Sequence, residues 1–344
     1  MNISDFDYLL PNELIAQEPL KNRDDSRMLI VDRGNQACRD DQFRNFPDQL
    51  SEGDVLVLNN TKVFPARLNG RLETGAAIEL FLIEQIDQNI WTALARPGRR
   101  LKPGKRVEIG NGFSAIVVEK FDDGRIKLRF EADGEIFELI EATGNTPLPP
   151  YIHRGDAPGL DTDRARYQTV YASERGAIAA PTAGLHFTPA ILKRIRELSV
   201  SIVEITLHVG YGTFEPVRAT DLAEHNVMPE KFEISAETAD ILNSAASKQN
   251  RIIAVGTTTT RALETAFTRH GKFIAEKAEA DLTIRPGHKF AAVDALLTNF
   301  HLPKSSLLIL VSTFGGHELI MDSYKHAVVH GYRFYSYGDC MFIS

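Results

Sequence analysis

The chain has 344 residues, of which 43% are hydrophobic and 25% are charged, and its formal net charge is −7. This composition is ordinary for a folded globular protein and excludes a collagen-like or disordered chain. The two cysteines, Cys38 and Cys340, are far apart in sequence, which argues against a disulfide framework and against a cysteine-rich zinc site. The length favours two domains over one.

The N-terminal stretch MNISDFDYLLPNEL lacks a basic segment followed by an apolar run, so no secretory signal peptide is expected. The longest apolar run, LLILVSTF at 307–314, is too short to cross a bilayer. We therefore expect a cytoplasmic protein with no membrane partner.

The first predicted elements lie between residues 11 and 63. PNELIAQ has the pattern of a helix start, and RMLIVD that of a short strand. A turn at 52–54 then precedes a strand of apolar residues that ends in the pair Asn59–Asn60.

From about residue 67 to 146, short β-rich runs alternate with turn residues, for example at Asp122-Asp123-Gly124. Asp-Gly and Asn-Gly between alternating apolar residues favour hairpins, and strands at this spacing indicate a small antiparallel barrel or sandwich. We predict a mixed α/β fold whose large domain is discontinuous, 1–66 plus 150–344. A small antiparallel β-barrel domain, 67–149, is inserted in it.

The segment RPGRRLKPGKR within this region contains no acidic residue, although the whole chain is acidic. Such a segment is typical of a solvated hairpin, and equally of a patch that binds a polyanion such as a nucleic acid. Its six basic residues are Arg96, Arg99, Arg100, Lys102, Lys105 and Arg106.

After residue 165 helices and strands are mixed. Thr188 and Pro189 have the pattern of an N-cap and a first helical residue. In the next strand, SIVEITLHVG, apolar residues alternate with polar ones, so Glu204, Thr206 and His208 share one face.

The strand RIIAVG runs into GTTTT and then into an amphipathic helix that ends near Gly271. The free N–H groups and the dipole at such a helix N-terminus suit an anion. A plain threonine cap is the alternative. The segment lacks the Gly-Lys-Ser/Thr sequence of a phosphate-binding P-loop.

Three histidines, His186, His208 and His301, lie in apolar surroundings beside Gly, Phe or Pro. One such histidine is more often a hydrogen-bonded core residue, but three favour a shared site that uses at least one for proton transfer. A three-histidine metal centre is the rival interpretation, but no HExxH-type spacing supports it, so we expect no metal.

His186 ends the small-residue stretch GAIAAPTAGLHFT, residues 176–188. Small residues let the backbone approach a flat ligand, so we interpret 177–186 as a floor for a planar base. Tight packing of a buried turn is the alternative.

Several longer motifs together resemble one family, the S-adenosylmethionine:tRNA ribosyltransferase-isomerases of the queuosine pathway. The resemblance runs from about residue 11 to the end of the chain. The motifs are GDVLVLNNTKVFPARLNG, LPPYI, YQTVYA, GAIAAPTAGLHFT, TLHVGYGTFEPV, RIIAVGTTTTRALE, VDALLTNFHLPKSSLLILVSTFGG and YRFYSYGDCMF.

The resemblance implies an enzyme that attaches the ribosyl portion of S-adenosylmethionine to 7-aminomethyl-7-deazaguanine at the tRNA wobble position. Epoxyqueuosine forms, and adenine and methionine leave. It also implies a large α/β domain with an inserted barrel, S-adenosylmethionine as co-substrate without a prosthetic group, tRNA as partner, and a monomer.

Within this resemblance we expect His186 to transfer protons, with His208 and Glu204 as the next candidates. The order of proton transfers is left open. The basic segment 96–106 is expected to grip the tRNA backbone. Substrate contacts are expected from Pro181, Thr182, Gly184, Thr257, Thr258, Thr259, Arg261, Asn299 and His301.

Some positions depart from the family pattern. Pro229-Glu230-Lys231 stands where His-Ser-Glu is expected, Thr283 and Arg285 stand where aromatic residues are expected, and Tyr211 replaces a small residue. These departures leave open which residues form the edge of the substrate pocket.

Two other classes of protein compete with this interpretation. A phosphoribosyltransferase-like enzyme would need a pair of acidic residues just before GTTTT, and residues 251–256 contain none. A non-catalytic RNA-binding module built on the barrel would leave the histidines and the small-residue floor without a role.

Overall fold

The structure is a computed structural model that describes residues 1–110, 112–154, 161–210, 217 and 221–344. Tyr211, one of the departures noted above, lies outside these residues. In the part of the chain that is described, no helix has the length and apolar character needed to cross a membrane.

The strands, in chain order, are β1 (Arg27–Asp32), β2 (Ala37–Gln42), β3 (Val55–Asn59), β4 (Thr61–Val63), β5 (Arg67–Leu72), β6 (Ala77–Asp87), β7 (Ile90–Arg96), β8 (Arg106–Gly110), β9 (Phe113–Lys120), β10 (Ile126–Glu131), β11 (Glu174–Ala177), β12 (Ser201–Leu207), β13 (Glu230–Ile234), β14 (Ile252–Val255), β15 (Glu276–Ala280), β16 (Ala295–Asn299) and β17 (Cys340–Ile343). The α-helices are α1 (Ile136–Thr143), α2 (Asp161–Arg166), α3 (Pro189–Glu197), α4 (Ala236–Ser247), α5 (Thr257–His270), α6 (Ser306–Gly315) and α7 (His317–Val329).

A mixed sheet forms the centre of the large part, in the order β15-β13-β12-β3-β14-β16-β17-β1-β2. Its strand residues alternate between two faces, and both faces are covered. Val55 and Val57 of β3 pack in the cluster that holds α4 to α7, whereas Leu56 and Leu58 pack in the cluster that holds α3. Burial on both sides explains why residues 55–58 of β3 are all apolar.

Four neighbouring strands, β12, β3, β14 and β16, run parallel to one another. Their carboxyl ends therefore meet at one edge of the sheet. In open α/β sheets, ligands bind in the crevice outside these ends, so the topology points to this edge as the place for a site.

The strands β5 to β10 close into a barrel in the order β10-β7-β6-β5-β8-β9, with antiparallel neighbours throughout. This confirms the predicted antiparallel barrel inside a mixed α/β fold. Phe64 and Ile178, which lie outside the barrel strands, share its core with Trp91. The division into 1–66 plus 150–344 and an inserted 67–149 domain stays a prediction.

Local signals in the sequence agree with the structure around α3 and α5. The Thr188 hydroxyl accepts a hydrogen bond from the backbone N–H of Ile191 at 3.2 Å, and Pro189 is the first helical residue. α5 ends before Gly271, which adopts φ 66°. The predicted helix start PNELIAQ was less accurate, since only a single 3₁₀ turn, Asn12–Leu14, forms there.

Candidate active site

A cavity of about 210 Å³, here called the first cavity, lies at the carboxyl edge of the parallel strands. Residues from several separate segments line it, because the chain returns to this edge after each strand. The lining consists mainly of residues 179–183, 256–258 and 298–307, together with Tyr151, Tyr167, Tyr335 and Ser336.

Two helices begin at the first cavity. Gly256, with φ 94°, precedes α5 and lets Thr257 and Thr258 line the cavity. Ser305 caps α6 by accepting a hydrogen bond from the backbone N–H of Leu308 at 3.2 Å, and it lines the same cavity. The unpaired N–H groups and the positive dipole ends of both helices favour an anionic group here.

The other two threonines of GTTTT turn away from the cavity. The hydroxyl of Thr259 donates to the Val255 carbonyl at 2.7 Å, and that of Thr260 to the Gly256 carbonyl at 3.1 Å. Both side chains are fully buried. Thr259, which the sequence placed among the substrate contacts, therefore stabilises the start of the helix instead.

Aromatic side chains form another wall of the first cavity. The rings of Tyr151 and Tyr335 lie 4.1 Å apart between centroids, and Phe300 also lines the cavity. Tyr335 adopts φ 75°, which is rare for a bulky residue. Its hydroxyl is buried and has no hydrogen-bond partner among the described residues, so it is available to a ligand.

His186 does not line the first cavity but lies directly behind it. Its Nε2 donates to Oδ1 of Asn299 at 3.2 Å, and its Nδ1 accepts from the Ser26 hydroxyl at 3.0 Å, which defines a neutral ring. Asn299 in turn donates to the Tyr335 carbonyl at 2.8 Å. Burial lowers the pKa of His186 to about 4, so the ring stays neutral near pH 7.

His301 does line the first cavity. Its Nε2 is 2.9 Å from the Thr298 hydroxyl, and its backbone N–H donates to the Tyr324 hydroxyl at 3.0 Å. Its Nδ1 makes no hydrogen bond with any described residue. Burial lowers the pKa of His301 to about 3, so this ring is also neutral near pH 7.

Acidification is expected to destabilise the fold through His186. Its pKa falls from 6.5 to about 4 on folding, so between these values the unfolded chain binds a proton that the folded chain does not. Stability is therefore lost as the pH falls through this window, by on the order of 3 kcal/mol for this one group. Urea unfolding of the wild type and of His186→Gln at pH 7 and pH 4.5 measures this loss of stability. An equal pH dependence in both proteins would contradict the assignment.

Glu204 lies in β12, and His208 follows directly after the strand. His208 Nδ1 lies 2.8 Å from the Thr61 hydroxyl, while Glu204 accepts from the Asn60 side chain at 3.1 Å. Neither lines the first cavity, and they make no hydrogen bond with each other. Each side chain is therefore held by a different neighbour, His208 by Thr61 and Glu204 by Asn60.

Arg261 is committed to a buried ion pair with Glu230, and both side chains are 7% exposed. Glu230 also accepts a hydrogen bond from the backbone N–H of Gly210 at 2.9 Å. Arg261 does not line the first cavity. The prediction that Arg261 contacts substrate is corrected, because burial favours keeping its charge paired with Glu230.

Gly184 also has a packing role. A Cβ at this position would lie 2.1 Å from the Tyr171 hydroxyl and 2.9 Å from the Thr169 methyl group. The residue therefore permits close packing and does not line the first cavity. The remaining predicted substrate contacts all line it: Pro181, Thr182, Thr257, Thr258, Asn299 and His301.

The basic segment 96–106 is largely available to a partner. One member differs, because Arg106 pairs with Glu108 at 2.5 Å and with Glu131 at 2.6 Å. The sequence argument missed these acids because they lie outside the segment. The other five basic side chains are exposed and form no ion pair within the described residues: Arg96, Arg99, Arg100, Lys102 and Lys105.

The positions that depart from the family pattern have structural partners. Thr283 accepts a hydrogen bond from the backbone N–H of Val227 at 3.0 Å, and Arg285 donates to the Leu222 carbonyl at 3.1 Å. Lys231 pairs with Glu84 of the barrel at 2.6 Å. Thr283 and Arg285 thus hold the segment before β13 in place.

Sequence reasoning missed the aromatic wall and the second helix N-terminus. Tyr151 and Tyr335 come from segments with no periodic pattern, LPPYI and YRFYSYG, so no local signal marked them. Ser305 did carry a signal, since a serine before the apolar run LLILV is typical of an N-cap.

A cavity at the carboxyl edge of parallel strands is the usual place of the ligand site in α/β enzymes. The chain belongs to the family of queuosine biosynthesis proteins, whose family model matches residues 3–343. It is 47% identical over 346 residues to the S-adenosylmethionine:tRNA ribosyltransferase-isomerase of Halothermothrix orenii, with 100% of each chain covered.

A solved structure is also similar. The crystal structure of S-adenosylmethionine tRNA ribosyltransferase from Thermotoga maritima is 37% identical, covers 99% of this chain and 100% of its own, and gives a TM-score of 0.55. Sequence and fold thus agree on the family.

Proposed function

We propose that the protein is an S-adenosylmethionine:tRNA ribosyltransferase-isomerase. It transfers and isomerises the ribosyl group of S-adenosylmethionine onto 7-aminomethyl-7-deazaguanine at the tRNA wobble position, forming epoxyqueuosine and releasing adenine and methionine. The observation that carries the proposal is the first cavity, where two helix N-termini, an aromatic wall and a neutral histidine meet.

The first cavity matches the charges of S-adenosylmethionine. Its methionine carboxylate would bind the N–H groups at the start of α5, beside Thr257 and Thr258. Its sulfonium would lie against the rings of Tyr151 and Tyr335, whose faces attract cations. The small residues 179–183 let the flat adenine approach the backbone.

The reaction needs a base, because the ribosyl carbon next to the sulfonium must lose a proton. It also needs an acid for the departing adenine. His301 is the proposed base, since it lines the first cavity and its Nδ1 is available. Its low pKa makes it a weak base, so the step depends on the acidity that the sulfonium gives the neighbouring carbon. His186 acts through Asn299 and is proposed as a positioning residue.

The direct test incubates the protein with S-adenosylmethionine and precursor tRNA and measures adenine. Adenine release that depends on tRNA, together with a ribosylated wobble base, is expected. Consumption of a diphosphate sugar donor with release of diphosphate, or no release of adenine from S-adenosylmethionine, would contradict the proposal.

The basic segment is proposed to bind the tRNA backbone. Because each neutralised phosphate releases counterions, the double variant Arg99→Glu with Arg100→Glu should weaken tRNA binding and flatten its salt dependence, by about one unit of slope or more. Filter binding between low and high salt measures this.

The matched control is Lys248→Glu with Lys272→Glu. It changes the net charge by the same amount as the Arg99–Arg100 variant, at two exposed side chains outside the barrel. It should leave the salt slope unchanged. The same slope in the wild type and in the Arg99–Arg100 variant would remove the segment from the tRNA interface.

A further inference from the structure

A second cavity, of about 350 Å³, lies where the barrel meets the large domain. Its lining includes Phe64 and Pro65, just before the barrel, and Glu141 of α1. Arg23 and Thr169 line it from the large domain. Clefts between domains are common places for ligands.

The second cavity adjoins the first, because Tyr167 lines both. Tyr167 is 1% exposed, so it is a packed residue at the border of both spaces. Ligands bound in the two cavities would therefore lie beside the same side chain.

The second cavity is positively charged. Lys62 lines it and makes no ion pair with any described residue. The guanidinium of Arg23 donates to the carbonyls of Leu185 and Ala165, both at 3.0 Å, so no carboxylate neutralises it. Arg164 also lines the space, but its charge is paired with Glu141.

A buried hydroxyl in this cavity has no partner. Thr169 is 5% exposed, and its Oγ1 makes no hydrogen bond with any described residue. Its methyl group lies toward Gly184, 2.9 Å from where a Cβ would stand. Buried polar groups are normally hydrogen-bonded, so this hydroxyl, on a residue that lines the cavity, retains its capacity to bond a ligand.

We propose that the second cavity receives the tRNA nucleoside that accepts the ribosyl group, with Thr169 donating to its base and Lys62 facing its phosphate and aminomethyl group. This proposal rests on the proposed function and adds to it the cavity in which the acceptor nucleoside binds. Bases recognised by proteins on single-stranded RNA are splayed out of their stack, which a cavity of this kind accommodates.

The charge of the cavity has a chemical consequence. The aminomethyl group attacks only as the neutral amine, and a nearby cation disfavours the ammonium form. Lys62 and Arg23 therefore lower the pKa of the bound amine, whose proton passes to solvent on entry. The carboxylate in the lining, Glu141, is paired with Arg164, so the charges of Lys62 and Arg23 favour a nucleophile that is neutral at physiological pH.

Single-turnover kinetics at saturating S-adenosylmethionine test the assignment. Thr169→Val, which keeps the shape, should raise the KM for tRNA by about three- to tenfold, the loss of one hydrogen bond. It should leave the affinity for S-adenosylmethionine unchanged. It should leave the melting temperature unchanged or raise it. Thr169→Ser should restore the KM. The matched control is Ser114→Ala, which removes another buried, unpartnered hydroxyl, in the barrel.

The second variant, Lys62→Ala, should raise the KM for tRNA about tenfold and move the acidic limb of the kcat–pH profile to higher pH, since the bound amine regains its basicity. Its control is Arg175→Ala, the exposed cation opposite Lys62 in the β4–β11 pair, which does not line the cavity.

Wild-type KM values for both variants, or equal effects in the controls, would overturn the placement of the acceptor while leaving the proposed function intact. A wild-type protein that releases no adenine would overturn the proposed function itself.

Discussion

Arg261→Ala is expected to lower the free energy of unfolding by about 3–5 kcal/mol, because it breaks the buried ion pair with Glu230. Both side chains are 7% exposed, so water cannot replace the lost partner. Glu230 also holds the Gly210 N–H at the end of β12, so the loss reaches the carboxyl edge of the sheet. Denaturant unfolding monitored by circular dichroism gives the value.

A surface pair on the same helix supplies the control. Arg269 pairs with Asp281, and these side chains are 32% and 61% exposed. Arg269→Ala should therefore cost no more than about 1 kcal/mol. The affinity of folded Arg261→Ala for S-adenosylmethionine should remain near that of the wild type. A stable Arg261→Ala protein that no longer binds S-adenosylmethionine would restore the sequence-based role of Arg261 as a substrate contact.

His301→Gln is expected to slow adenine release in a single turnover by about 10²- to 10⁴-fold, the usual contribution of a general acid or base. The ring lines the first cavity, is neutral near pH 7, and keeps Nδ1 available while Thr298 holds Nε2. Glutamine can keep the bond to Thr298 but cannot accept a proton from carbon. Rapid-quench measurement with tRNA and S-adenosylmethionine both saturating isolates this step.

His186→Gln serves as the comparison, since it alters the contact to Asn299 behind the cavity. Loss of one hydrogen bond should slow the step only about tenfold or less. The reverse order, with the larger loss at His186, would favour the sequence-based assignment of proton transfer to that residue and would remove His301 from the role.

The sequence predicted those elements that local patterns specify. The alternation of apolar and polar residues in SIVEITLHV predicted which face of β12 is buried. Thr188-Pro189 predicted a helix start and Gly271 a helix end, and the structure confirms both. The closed barrel followed from hairpin turns, because these pair strands that are neighbours in sequence. Each of these signals depends on a few consecutive residues.

Contacts between side chains that are far apart in sequence could not be predicted in this way. His186 reaches Ser26 and Asn299, which are 160 and 113 positions away in sequence. Nothing in GLHF distinguishes a ring behind a cavity from one inside it. Arg261 follows four threonines and resembles an anion ligand. Its charge is instead neutralised by Glu230 of β13, which is separated in the sheet from β14, the strand before Arg261, by β12 and β3.

The most direct test of the account is a crystal structure of the protein with S-adenosylmethionine. We expect the ligand in the first cavity, with its carboxylate about 2.7–3.2 Å from the backbone nitrogens that begin α5 and its sulfonium against Tyr151 and Tyr335. An ordered ligand elsewhere, for instance in the second cavity beside Lys62, would contradict it.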